Sequence, residues 1–219
     1  MKPLMLTVIC TLLFAMGLDA DAQVFRLHTG VNMSKMHVST EQDTRCLNKI
    51  NIGVTAEFTI SHYISFETGI FSSPKGFRIV TTEESDMGTH KEKYLFGPNY
   101  MDFFINVRGT YDLDNFRVFG FVGPFFAVGT GGKIKIIDYY DGDKVQTESS
   151  DLSWGPGPDD DVRTIDFGFS VGAGVEFREF QLRMFYQLGL PDVSPSAESW
   201  EKLLNRMLGI SVGFRFAGS

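Results

Sequence analysis

The sequence predicts an all-β fold: a closed antiparallel transmembrane β-barrel of about eight strands, with short periplasmic turns and long extracellular loops. Three observations carry this expectation. Apolar residues recur at every second position over long stretches, the period of a strand with two unlike faces. The links between those stretches alternate between short and long, as they do in barrels that cross an outer membrane. The polar faces hold glycine and mixed charge, which suits a narrow interior better than a solvated surface.

The chain opens with Lys2, an apolar run from Leu4 to Leu18 and the small-x-small exit Ala20-Asp21-Ala22. That order marks residues 1–22 as a signal peptide and 23–219 as the outer-membrane β-barrel domain. The run is too short for a membrane helix, which needs about 20 apolar residues. Cys10 does not make it a lipoprotein signal, because Cys10 lies inside the apolar run and Thr7 stands where leucine is wanted. Cleavage removes one cation and two acids (Lys2, Asp19, Asp21), so the formal charge of -7 becomes -6. That acidic excess argues against nucleic acid, which is bound through basic patches. Cys46 is then the sole cysteine, and no intramolecular disulfide can form.

The clearest strand runs from Arg163 to Arg178. Ile165, Phe167, Phe169, Val171, Ala173, Val175 and Phe177 alternate with Asp166, Gly168, Ser170, Gly172, Gly174 and Glu176. Similar alternation covers Ile50 to Ile60, Phe180 to Leu190 and Leu208 to Phe216. Noisier strands are expected over about 24–36, 62–79, 94–111 and 116–137. In the last, Phe119, Phe121 and Phe125 compete in phase with Val118, Val122 and Phe126. A bulge at Gly123-Pro124 would account for that, since proline cannot donate to a ladder, and the register there stays open.

Ser61-His62, Asp112 to Asn115 and Arg178-Glu179 read as tight turns. Between them lie polar loops at about 37–48, 80–93, 138–162 and 191–204. In 138–162, proline, glycine and acid argue against regular structure. Eight strands and seven links use the whole chain. The bacterial outer membrane follows as its location, with the lipid bilayer and lipopolysaccharide as partners and the long loops as a place for a protein partner.

The polar faces decide what the interior holds. Arg26, Glu57, Glu67, Asp102, Arg108, Asp166, Glu176, Arg178, Arg183 and Arg215 lie on them, five acids against five arginines and no lysine. Arginine and carboxylate in such balance form a hydrogen-bonded network that replaces water, and these ten residues are the expected lumen polar network. Phenylalanine, present 21 times and often on the apolar positions, suits a lipid-facing surface with aromatic ends.

The sequence resembles the PorT-like outer-membrane β-barrel domain proteins of Bacteroidetes. The matching pieces are Phe25 to Ser34, Phe66 to Gly76, Val122 to Gly132, Phe167 to Phe177, Tyr186 to Leu190 and Asn205 to Phe216. The resemblance implies outer-membrane residence, a signal peptide ending in Ala22-Gln23 and, for a few members, a link to secretion or gliding. It supplies no catalytic residues.

Chemistry-bearing residues are sparse. His28 falls on the lumen face, His62 in a turn, His37 and His90 in long loops, and no pair has metal-ligand spacing. Asp138 to Asp143 resembles a calcium loop without its closing glutamate, and Asp159-Asp160-Asp161 lie in the same loop. Ser34, His37 and Asp43 share the outer rim, the place where small barrel enzymes keep their catalytic groups, but no nucleophile motif surrounds them. Cys46 reads as a lone loop thiol. The expectation is therefore a non-enzymatic barrel with a filled lumen and no catalytic, cofactor or metal residues, acting through its surface loops or in secretion. The alternatives are a small pore for solutes and a periplasmic lipocalin-like carrier. Single-channel conductance separates the pore from the filled barrel, and detergent dependence separates the carrier, which would need the two faces inverted, from both.

Overall fold

A computed structural model describes residues 23–37, 44–85, 88–157, 159–195 and 203–218; the expected signal peptide and Asp43 lie outside the described residues. The alternating segments become β1 (Gln23–His37), β2 (Arg45–Ser61), β3 (Ile64–Pro74), β4 (Phe77–Ser85), β5 (Gly88–Asp112), β6 (Arg117–Tyr140), β7 (Asp143–Asp151), β8 (Ile165–Phe177), β9 (Phe180–Gly189) and β10 (Leu204–Ala217). Eight of them close a ring in the order β1, β2, β3, β5, β6, β8, β9, β10. The ring shuts where β10 pairs antiparallel with β1, from Phe25 against Ala217 to His37 against Leu204. Closure leaves no row of unpaired amides in the wall, the condition for crossing a bilayer with strands.

The two faces are what the alternation requires. Ile50 and Ile52 are 69% and 56% exposed, while Asn51 between them is 1% exposed. Phenylalanine and aliphatic side chains therefore point away from the barrel axis and polar ones point in, the reverse of a soluble sandwich. Near the short-turn end the outward face is aromatic, with Phe25 against Phe216 and Phe180 against Phe214. Glycine on the inward face makes room for inward rings on the neighbouring strand. Gly209 lies opposite Phe185, and Gly174 beside Phe119; a Cβ at either would sit inside the ring's van der Waals envelope.

The β6 register differs from the expectation. No bulge occurs at Gly123-Pro124: the pairing with β8 runs unbroken, and the ladder with β5 merely skips Ile105 and Asn106 before resuming in the same register. Missing proline N–H groups interrupt a ladder without shifting it. Phe119, Phe121 and Phe125 face inward, and Val122 and Phe126 outward. The bulge lies instead at Thr130, between the pairs Tyr100–Gly129 and Asn99–Gly131.

The loops expected at 80–93 and 138–162 are corrected as well. β4 continues the pairing of β3 along β5 past a break at Lys75-Gly76, where Gly76 has a φ of 124°. β6 and β7 form a second hairpin through Asp141-Gly142. Together β4, upper β5, upper β6 and β7 make a four-stranded wing that rises beyond the ring. Cys46, expected in a loop, is an exposed residue of β2.

Candidate functional site: the barrel lumen and its cap

Inside the short-turn half, three arginines meet three glutamates. Arg26 pairs with Glu57 at 2.6 Å and Glu176 at 2.8 Å. Arg108 reaches Glu176 at 2.6 Å, Glu57 at 3.0 Å and Glu67 at 3.6 Å, and Arg183 reaches Glu67 at 3.0 Å. Ser65 donates to Glu57, Gln181 to Glu176 and Asn106 to Glu67. The guanidinium of Arg108 also lies 3.8 Å from the Phe119 ring centre, and that of Arg183 4.2 Å from Phe121. Equal charge, shared hydrogen bonds and aromatic faces together replace hydration for groups that are costly to bury singly.

Above this cluster Phe71, Phe104 and Phe185 form an aromatic layer, with ring centres 5.7 and 6.5 Å apart along the sequence of contacts. A cavity of about 20 Å³ remains beside them, lined by Asn32, Ser73, Asp102, Arg183 and Gln187 among others. That space is large enough for one water and too small for a solute. Higher still, Lys75 pairs with Asp166 at 2.9 Å and Asp102 at 3.5 Å, between the rings of Tyr100 and Phe125. Asn205 adds a donor to Asp166.

The long-loop mouth is covered. Trp154 stands edge-on against Tyr100 with ring centres 5.2 Å apart. Leu152, Val162 and Val193 pack with Met36, Phe77 and Phe96 into an apolar core over the opening. Backbone bonds stitch this cap to the wall, from Gly129 to the Thr164 carbonyl and from Arg163 to the Val193 carbonyl.

Of the ten expected lumen residues, Arg26, Glu57, Glu67, Arg108, Glu176 and Arg183 meet in the lower cluster, and Asp102 and Asp166 in the upper one. Arg178 and Arg215 do not join them. Arg178 occupies the β8–β9 turn with a φ of 55° and is exposed; the strand's alternation ends one residue earlier. Arg215 bonds Glu179 at the short-turn rim. The sequence reading missed Lys75, among the described residues the one lysine buried with these acids, because it follows Pro74 where alternation fades. Its odd number, in step with Glu67, Phe71 and Ser73, was the available signal.

The remaining candidates also have places. His28 is buried with Nε2 3.0 Å from the Thr55 hydroxyl. His62 lies 3.5 Å from Asp112 in the rim and His90 3.7 Å from Asp138 in the wing. Ser34 is buried in the wall and donates to the Leu47 carbonyl. Three acids of 138–161 accept hydrogen bonds that tie the backbone together: Asp160 from the Gly157 amide and Ser153 hydroxyl and Asp161 from the Ser153 amide within one loop, and Asp141 from the Thr89 amide of the neighbouring β4–β5 hairpin. Among the described residues, no cluster of three or more metal-ligating acids, histidines or cysteines occurs.

A sequence profile described as an outer membrane protein beta-barrel domain matches residues 22–194. Among solved structures, the chain is similar to the attachment invasion locus protein Ail of Yersinia pestis, at 11% identity over 90% of this chain and 99% of that one, with a TM-score of 0.40. It is similar to Neisserial surface protein A, at 12% identity over 88% and 97%, with a TM-score of 0.39. The N-terminal barrel domain of Pseudomonas aeruginosa OprF gives 8% identity over 90% and 100%, with a TM-score of 0.38. No curated protein matches.

Proposed function

The chain belongs to the outer membrane protein beta-barrel domain family, and from that premise we propose that it is a non-enzymatic, filled barrel that displays a rigid β-wing at the cell surface. The short turns then face the periplasm and the wing faces outward. The observation that carries this reading is the stack of four closures along one axis: the Arg26-Arg108-Arg183 cluster, the Phe71-Phe104-Phe185 layer, the Lys75 cluster and the Trp154 cap. Such an interior has no path for solute. A conducting barrel needs about twice as many strands to leave a water-filled lumen, which weighs against a small pore. The polar interior weighs against a lipocalin-like carrier.

Function then resides in what the barrel holds above the membrane. The β4–β5 and β6–β7 hairpins extend the wall by paired strands, and the cap braces them, so the surface presented to a partner is preorganised. The link to secretion carried by the PorT-like resemblance belongs to the same reading, with the wing as the contact for secreted or surface protein. The test shortens both hairpins to tight turns at the height of Phe96 and Ile134 in a strain lacking the native gene. The shortened protein is expected to reach the outer membrane as a folded barrel yet to leave the deletion phenotype in place. Full complementation by that variant would overturn the proposal.

A further inference from the structure

We propose that the outward face of the wing is a docking surface for the sugar phosphates of lipopolysaccharide in the outer leaflet, an inference that deepens the preceding reading and rests on it. The strand register sorts the wing's charges by face. Arg78 pairs with Leu95 and Leu95 with Lys135; Val80 pairs with Lys93 and Lys93 with Ile137; Thr82 pairs with Lys91, Lys91 with Tyr139 and Tyr139 with Lys144. Partners across a ladder share a face, so Arg78, Lys91, Lys93, Lys133, Lys135 and Lys144 all lie on one side. The other side holds Phe77, Phe96 and Ile134, which pack in the cap, and farther out Glu83, Glu92, Asp138 and Glu148. The cationic side is therefore the one turned away from the cap, in line with the lipid-facing wall.

Two acids share the cationic side, Glu84 and Asp151, and Asp151 is 3.7 Å from Lys133. Among the described residues, Arg78, Lys91, Lys93 and Lys135 have no carboxylate within ion-pair distance, while Lys93 lies 4.2 Å over the Tyr139 ring. Six cations gathered on one face against their mutual repulsion, with only two acids among them, fit an anionic surface.

Height selects which anionic surface. On β5 the outward row runs through the exposed Val107, Ile105 and Met101 and continues upward to Lys93 and Lys91. At about 3.3 Å per residue and a strand tilt of about 40°, the Lys133 to Lys93 rows stand roughly 10 to 20 Å above Met101. The phosphorylated sugars of an outer-leaflet glycolipid occupy that layer. The face is thus continuous with the lipid contact below it and complementary in charge to the headgroups beside it.

The test folds the full chain into a zwitterionic bilayer and titrates purified lipopolysaccharide. Wild type is compared with an outward variant (Arg78→Gln, Lys91→Gln, Lys93→Gln, Lys135→Gln) and an opposite-face control (Glu83→Gln, Glu92→Gln, Glu148→Gln). The outward variant is expected to bind roughly tenfold or more weakly at low salt. The control is expected to match wild type, and dephosphorylated lipopolysaccharide to lose affinity to the same degree. Equal binding by wild type and the outward variant, or equal binding of the dephosphorylated glycolipid, overturns the proposal. So does binding of soluble polyglutamate as tightly as lipopolysaccharide, which would make the face a protein-docking surface. Each sample is also run unboiled on a gel. Absence of a heat-dependent shift in wild type would count against the barrel itself; a shift with equal titrations counts against the docking surface alone.

Discussion

Arg108 is the residue on which the lower lumen depends most. It touches Glu57, Glu67 and Glu176 at once and is fully buried. Replacing it with Ala leaves three carboxylates facing one another with two arginines, and breaking a buried pair of this kind costs about 3 to 5 kcal/mol. A urea titration of the folded barrel, followed by gel shift, is expected to show that loss; an unchanged midpoint would mean that water replaces the guanidinium freely. Gly209 gives a steric counterpart. Gly209→Leu is expected to cost about 2 kcal/mol through overpacking against Phe185, and Phe185→Ala in the same chain to recover part of it. At the rim, the hydrogen bond from Arg215 holds the Glu179 carboxyl below the usual carboxylate range. A depressed carboxyl contributes stability above its unfolded value of about 4.5 and loses it as pH falls further. Amide exchange in the β8–β9 turn is therefore expected to distinguish Glu179→Gln from wild type near neutral pH, and the two are expected to converge once the Glu179 carboxyl of wild type is protonated. These residue identities were largely readable, since a carboxylate or arginine in strict alternation with Phe and Ile can only face the other side of the wall. Lys75 escaped because Pro74 and Gly76 break the pattern around it.

At the scale of elements, the Thr130 bulge takes up one residue of β6. One extra residue on β6 reverses side-chain parity beyond it, placing Ile134 toward the cap and Lys133 and Lys135 outward. Deleting Thr130 is expected to abolish the bulge while Gly131 still meets Asn99 and Ile134 still meets Phe96, so the faces stay as they are and the core around Leu152 and Val162 stays packed. An uncut cap in an otherwise heat-modifiable barrel is the predicted result of a protease digest; cleavage within 152–163 would show that the bulge does more than take up one residue. The sequence pattern placed a break nearby but assigned it to Gly123-Pro124, where proline's missing donor interrupts the ladder without adding a residue. The wing was hidden for a different reason. Period-two alternation appears only where one face is buried, and every residue of β7 is exposed, so its strand has no apolar signature. β4 and upper β5 keep theirs only near the cap, at Phe77, Ile79, Tyr94 and Phe96.

Over the whole molecule, the ring and the wing divide the work. The ring satisfies its backbone by closure, its lower interior by three arginines set against three glutamates and its middle by aromatic packing, the basis on which it is proposed to be a closed mount. The wing has no lumen to guard and carries segregated charge instead, acids on the cap side and cations on the outward side. The closed state of the lumen is the central physical claim, because both the display function and the lipid contact assume that nothing passes through. It rests on the separate closures at Arg108, Phe104, Lys75 and Trp154, so relieving any one leaves three in place. The most direct measurement is planar-bilayer conductance of the full chain after its heat-dependent gel shift has been confirmed. A flat current trace at applied voltages of either sign is the predicted result; discrete, reproducible conductance steps from the wild-type protein would contradict it.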